Sequence, residues 1–291
     1  MRLNRVMMRL KLNLKWICAF IASFLALYMV LWPGNQALYD LILFPIPDPR
    51  TPSVDAQFQQ LQPVTKKDVA FRSADGRLIH GWFLELPGTR KVFLYSHAKG
   101  NNIYGKIHIA QNLLLCGGSV LMYDYQGYGL SEGKPSVVHA CDDAVAAYDY
   151  LIEKEHRKGK DIIAFGESFG CGVTGQLVEH RTVGGVILHS GATSLMRAGR
   201  DTLPWLRLYP DWSFSGQLLD NVAVFSNPHP PLLIIHAKKD RTLSAENAQD
   251  LFSKSIQPKS LLLLPEGGHC SFGKSDEVIV AIKDFLKQHP S

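Results

Sequence analysis

The sequence predicts a single α/β domain, a mostly parallel sheet with helices on both faces, behind one N-terminal transmembrane helix. Three observations carry this. Apolar runs of strand length alternate with helical patterns from residue 78 to Leu286. The residues able to do chemistry fall just past the C-terminal ends of such runs, where open α/β sheets place their sites. An uncharged apolar stretch, 16–32, lies near the start.

The elements follow in order. Residues 1–15 form a basic tail with Arg2, Arg5, Arg9, Lys11 and Lys15 and no acid. Residues 16–32 have no charge, and Trp16 and Trp32 bracket them as at membrane interfaces. As a helix the stretch measures roughly 26 Å, near the short end for a bilayer span. A cleaved signal is the competing reading, but its core is shorter and ends at small residues; this one ends in Trp32-Pro33-Gly34. An uncleaved signal-anchor is therefore expected. By the positive-inside rule the tail is cytoplasmic and the domain lies on the far side, the periplasm in a bacterium. The whole chain has 31 basic and 26 acidic residues. Removing the five basic residues of the tail leaves 26 of each, so the basic balance is a targeting feature and points to no nucleic acid.

The domain runs over 37–290, long enough for one large core. Its proline-rich start, 45–63, reads as an extended arm. Residues 69–72 and 78–84, joined at Ala74-Asp75-Gly76, read as a hairpin. The run Asp161-Ile162-Ile163-Ala164-Phe165 leads straight into Gly166-Glu167-Ser168-Phe169-Gly170 and then a helical pattern. A strand feeding G-x-S-x-G and a helix is a nucleophile elbow, whose glycines let strand and helix approach. The bland reading of Ser168 is a helix N-cap.

Two partners follow downstream. The run from Pro231 to Ala237 ends near Asp240, and Leu261–Leu264 ends near His269. The order Ser, Asp, His suits a relay in which His269 takes the Ser168 proton and Asp240 holds the imidazole. Asp240 as a helix-capping turn residue, with Asp220 or Glu266 as the acid, is the alternative. Backbone N–H groups after the strand Lys91–Tyr95, together with that of Phe169, would stabilise an oxyanion.

Here a resemblance enters. His97-Ala98-Lys99-Gly100-Asn101-Asn102 and Asp124-Tyr125-Gln126-Gly127-Tyr128-Gly129-Leu130-Ser131-Glu132-Gly133, with Leu43-Phe44-Pro45 before them, resemble membrane-anchored α/β-hydrolases of the serine-aminopeptidase-like group, which includes esterases and acyl-protein thioesterases. The resemblance covers roughly residues 37–288. It implies an α/β-hydrolase fold and serine hydrolase chemistry through an acyl-enzyme, on small-molecule or acylated-protein esters or thioesters. A serine peptidase, or a silent fold used for binding, is the alternative. It also implies Lys99 N–H as an oxyanion donor; Ala98, where the group has glycine, leaves its own N–H as the other candidate. Gln126 stands where the group has arginine, removing a charged contact.

Between the strand at 185–188 and that at 231 there is room for short helices and no large lid. Trp205, Trp212 and Phe214 there are candidates to line an acyl site, with packing of a short excursion as the bland reading. The five cysteines, 18, 116, 141, 171 and 270, show no C-x-x-C spacing, and the histidines no H-E-x-x-H. No metal and no cofactor is expected.

Overall fold

The computed structural model describes residues 2–44, 63–214, 219–272 and 276–290, with side chains described from Lys15 onward except at 36 and 37. The expected proline-rich arm lies almost wholly outside the described residues. Helix α1, Arg2–Val30, comes first, then α2, Gln36–Leu43. An eight-stranded sheet follows: β1 Thr65–Arg72, β2 Leu78–Glu85, β3 Val92–Ser96, β4 Ser119–Tyr123, β5 Ile162–Glu167, β6 Gly185–His189, β7 Leu232–Ala237 and β8 Lys259–Leu264. Its order is β1-β2-β4-β3-β5-β6-β7-β8. β1 and β2 form the antiparallel hairpin, β2 joins β4 antiparallel, and every pairing from β4 through β3 to β8 is parallel.

Burial explains the unbroken apolar runs. Every residue of β3 to β7 is buried, as befits strands covered on both faces, whereas edge strand β8 is only partly so. Side chains alternate between two cores. On one face Leu94, Leu121, Ala164 and Leu188 meet α4 (Val137–Glu153) and α5 (Phe169–His180). On the other, Phe93, Met122, Phe165 and Ile235 meet the helix Ile107–Leu115, α3, and the last helix, Asp276–Gln288. The excursion from β6 to β7 holds a helix Leu195–Thr202, two 3-10 turns at Pro204–Leu208 and Asp211–Ser213, and one more turn at Asn221–Phe225. Its described elements are all short.

The N-terminal expectation needs correction. The helix begins well before residue 16 and stops at Val30, with Leu31 already in a turn. Among the described residues no helix is long and apolar enough to cross a membrane. The reason for the early stop lies in the turn beyond it. The Asn35 side-chain amide donates to the Val30 carbonyl at 3.0 Å, and Tyr39 Oη donates to that of Leu31 at 2.6 Å. Tyr209 Oη, from the excursion, donates to the Tyr28 carbonyl at 2.6 Å. These side chains satisfy last-turn carbonyls that a continuing helix would have bonded itself.

Candidate active site

The site forms where three parallel strands end. Ser168 follows β5 directly and sits at φ 53°, ψ −112°, a conformation costly for a residue with a side chain. Its N–H donates to the His189 carbonyl, 2.9 Å away at the end of β6. The two flanking glycines are there for contact. A Cβ on Gly166 would lie 2.5 Å from the Gly170 carbonyl oxygen and 2.7 Å from Cys171 Cα, and one on Gly170 would run into the Ser96 carbonyl at the end of β3.

The structure brings Ser168, His269 and Asp240 together. Ser168 Oγ lies 2.8 Å from His269 Nε2, and His269 Nδ1 lies 2.7 Å from Asp240 Oδ2. The Asp240 Oδ2 acceptor fixes Nδ1 as the protonated ring nitrogen, leaving Nε2 to accept from the serine. Asp240 also accepts backbone N–H groups through Oδ1, from Thr242 at 2.8 Å and Leu243 at 3.0 Å. It is thus both the turn residue and the histidine's partner. His236, the fifth residue of β7, points Nε2 at the same Oδ2 from 3.3 Å. Burial acts to raise the Asp240 carboxyl, but the bonds from His236, His269 and Leu243 outweigh it and hold the group well below the usual carboxylate range.

The loop after β3 lies alongside. His97 is fully buried; its Nδ1 donates to the Ala98 carbonyl at 2.8 Å, and burial lowers its pKa to about 4. It is a neutral strand-end residue. Ala98 is buried and Lys99 exposed. Phe169 opens α5, where the first N–H groups have no partner within the helix. The candidate donors Ala98, Lys99 and Phe169 therefore come from adjacent strand ends.

Gln126 has a specific neighbour. Its N–H and side-chain amide donate to Asp143 of α4 at 2.8 and 3.3 Å, and the amide also reaches Asp75 at 3.2 Å. Burial pushes the Asp143 carboxyl up to about 6, against the lowering effect of Ser73, Gln126 and His139.

The three aromatic candidates go elsewhere. Trp212 is 72% exposed and packs against Trp32, ring centres 5.6 Å apart. Phe214 lies under the Arg200 guanidinium at 4.9 Å. The Trp205 indole adjoins Tyr39 of α2. None has a described contact with Ser168 or His269. Trp205 and Trp212, each within a short 3-10 turn, serve the seam between the excursion and the N-terminal segment, whereas Phe214 packs within the excursion itself.

Two features escape sequence reasoning. Glu167, beside the serine, is fully buried; Lys106 Nζ donates to it at 2.8 Å and Tyr95 Oη at 2.7 Å. The signal was an acid ending an otherwise apolar strand, which demands a buried partner. Burial acts to raise this carboxyl, yet Lys106 outweighs it and the net direction is down. The second is Phe44, buried edge-on against Phe169 with ring centres 5.3 Å apart, which ties the segment after α2 to the elbow.

Among the described residues no cluster of His, Cys, Asp and Glu is placed to hold a metal ion. The described cysteines are all unpaired.

This strand order, with an elbow serine between β5 and α5, defines the α/β-hydrolase fold. Comparison with solved structures agrees: an esterase of Pyrococcus furiosus superposes with a TM-score of 0.70 at 20% identity, over 85% of this chain and 100% of that one. Residues 88–229 match the model of the serine aminopeptidase family S33. An uncharacterised protein of Mycobacterium tuberculosis is 29% identical over 258 residues, 87% of this chain and 86% of that protein. The uncharacterised YfhR protein of Escherichia coli O157:H7 is 29% identical over 216 residues, 71% of this chain and 74% of its own.

Proposed function

We propose that the chain is a membrane-associated serine hydrolase that cleaves carboxylic esters or thioesters. The observation that carries this reading is the unbroken relay Ser168–His269–Asp240, at 2.8 and 2.7 Å. Ser168 Oγ attacks the substrate carbonyl as His269 Nε2 takes its proton. Asp240 keeps the imidazole oriented and stabilises the imidazolium. The developing oxyanion accepts from Phe169 N–H and from that of Lys99 or Ala98. His269 returns the proton to the leaving alcohol or thiol, and an acyl-enzyme remains. Water, activated by the same histidine, releases the acid.

The relatedness to a serine aminopeptidase family keeps peptide bonds as the second reading. Fluorophosphonate labelling at Ser168, followed by kcat/KM for matched ester, thioester and aminoacyl-amide substrates, separates the readings. Absence of labelling in the folded protein overturns the enzyme reading. Labelling with amide turnover alone overturns the ester reading.

Membrane association rests on α1. Its described apolar side chains are largely exposed, Trp16 at 70% and Phe20 at 73% among them, and a bilayer is the solvent that accepts them. The basic tail, with Arg2, Arg5, Arg9, Lys11 and Lys15, adds attraction to anionic headgroups. Retention in the membrane after carbonate extraction tests this; release overturns it.

A further inference from the structure

Around the described part of α1, exposed apolar groups point in every direction. At about 100° per residue, Trp16, Phe20 and Leu27 share one side, and Ile21, Leu25 and Met29 the opposite one. A protein partner would cover one face of such a helix; lipid covers all of them. At its C-terminal end the helix gains partners of another kind. Tyr28 stacks on Tyr209 with ring centres 4.3 Å apart, and Trp32 sits edge-on to Tyr209 at 5.8 Å and tilted on Trp212 at 5.6 Å. With the bond from Tyr209 Oη to the Tyr28 carbonyl, this seam fastens the excursion to the helix end. Beside it the excursion presents Leu208, 65% exposed, and Trp212, 72% exposed, next to exposed Arg207. Exposed leucine and tryptophan flanked by arginine, continuous with an apolar helix, have the chemistry of a lipid headgroup boundary.

We infer that Leu208 and Trp212 form a foot that seats the domain on the lipid surface, so that Ser168 takes its acyl substrate from the membrane. This rests on the membrane-associated reading above. The chain supplies the geometry. After the turn at 31–35, the eight residues of α2 advance about 12 Å, and Phe44 then packs on Phe169, the residue after the serine. The elbow therefore lies within roughly 25 Å of the end of α1. The substrate class is a membrane-resident acyl ester or thioester, presented by its headgroup side.

The experiment uses the full chain in phosphatidylcholine vesicles containing phosphatidylglycerol, with bromine carried near the headgroup of the acyl chains. The fluorescence difference between wild type and Trp212→Phe reports Trp212. Its quenching by the bromolipid is the expected result. In parallel, Leu208→Glu should stay vesicle-bound and keep its turnover of a short water-soluble ester. Its kcat/KM on a long-chain ester dissolved in the vesicles should fall roughly tenfold, the loss of one inserted leucine. Wild type that binds vesicles with Trp212 unquenched, or Leu208→Glu with full activity on the vesicle substrate, overturns the foot and leaves the anchor standing. Wild type that fails to sediment with vesicles overturns both. Trp212 shielded from bromolipid and from an aqueous quencher alike, in a protein that is dimeric in detergent, overturns the foot in favour of a second copy of the chain.

Discussion

The chain turns at Ser168 and again around Trp32, and the two places are held in opposite ways. At Ser168 backbone meets backbone: strand and helix close on Gly166 and Gly170 with no room for a Cβ, and the serine's positive φ is the result. At Trp32 side chains do the holding, through stacked rings and hydroxyls that reach helix-end carbonyls. The first arrangement is buried within a close-packed sheet and sets the position of one side chain. The second is half in solvent and places a whole helix against a surface. Precision at the elbow comes from sterics that cannot relax; attachment at the helix comes from contacts that add up singly.

The sharpest way to break this contrast is at the elbow. Ser168→Ala should lower turnover of a p-nitrophenyl ester by about a thousandfold or more, with the fold unchanged by circular dichroism. Retention of a tenth of the wild-type rate would show that the strained turn serves something other than nucleophilic attack.

The next effect falls on stability beneath the elbow. Lys106 and Glu167 form a pair with side-chain exposures of 13% and 0%. Lys106→Met strands the carboxylate and should cost about 3 kcal/mol in urea unfolding. Adding Glu167→Gln, which still accepts from Tyr95, should restore most of it. A double variant no better than the single one would mean that the lysine acts by packing its stem.

A further effect concerns the Asp143 carboxylate of α4. Asp143 has its pKa raised to about 6 from an ordinary 3.8, chiefly by burial. A group raised in the folded state contributes stability that is fully present below its unfolded value and is lost as pH rises through its folded one. Wild type should thus lose stability between about pH 4 and pH 7 relative to Asp143→Asn, by up to about 3 kcal/mol. A constant gap between the two proteins across that window would place the charge elsewhere.

The smallest effect belongs to the helix seam. Tyr209→Phe removes one bond to a helix-end carbonyl, worth about 1 kcal/mol at most at a partly exposed site. Amide exchange in the last turn of α1 should quicken while the domain's melting temperature stays put. A drop in Tm would mean that the seam belongs to the cooperative core.

The sequence by itself determined the strand succession, the elbow and the chain positions of Ser168, Asp240 and His269. Those features are local: an unbroken apolar run reports a strand buried on both faces, and glycines two residues either side of a serine report a turn too tight for Cβ atoms. Asp240 shows the limit of such reading, since it caps its own turn and also meets His269, two roles treated as alternatives until its two oxygens are seen pointing apart. Tertiary structure alone decided the rest. Trp205 and Trp212 carry the same apolar area whichever way they face, and only the docking of the excursion on α1 and α2 turned them to the seam. Glu167 announced a missing partner, but Lys106, 61 residues earlier, became that partner through packing of the loop after β3 against the elbow. Hydrophobic area and glycine spacing are properties of short stretches. The direction of a side chain is set by which distant surface arrives beside it, and that is settled only when the sheet has closed.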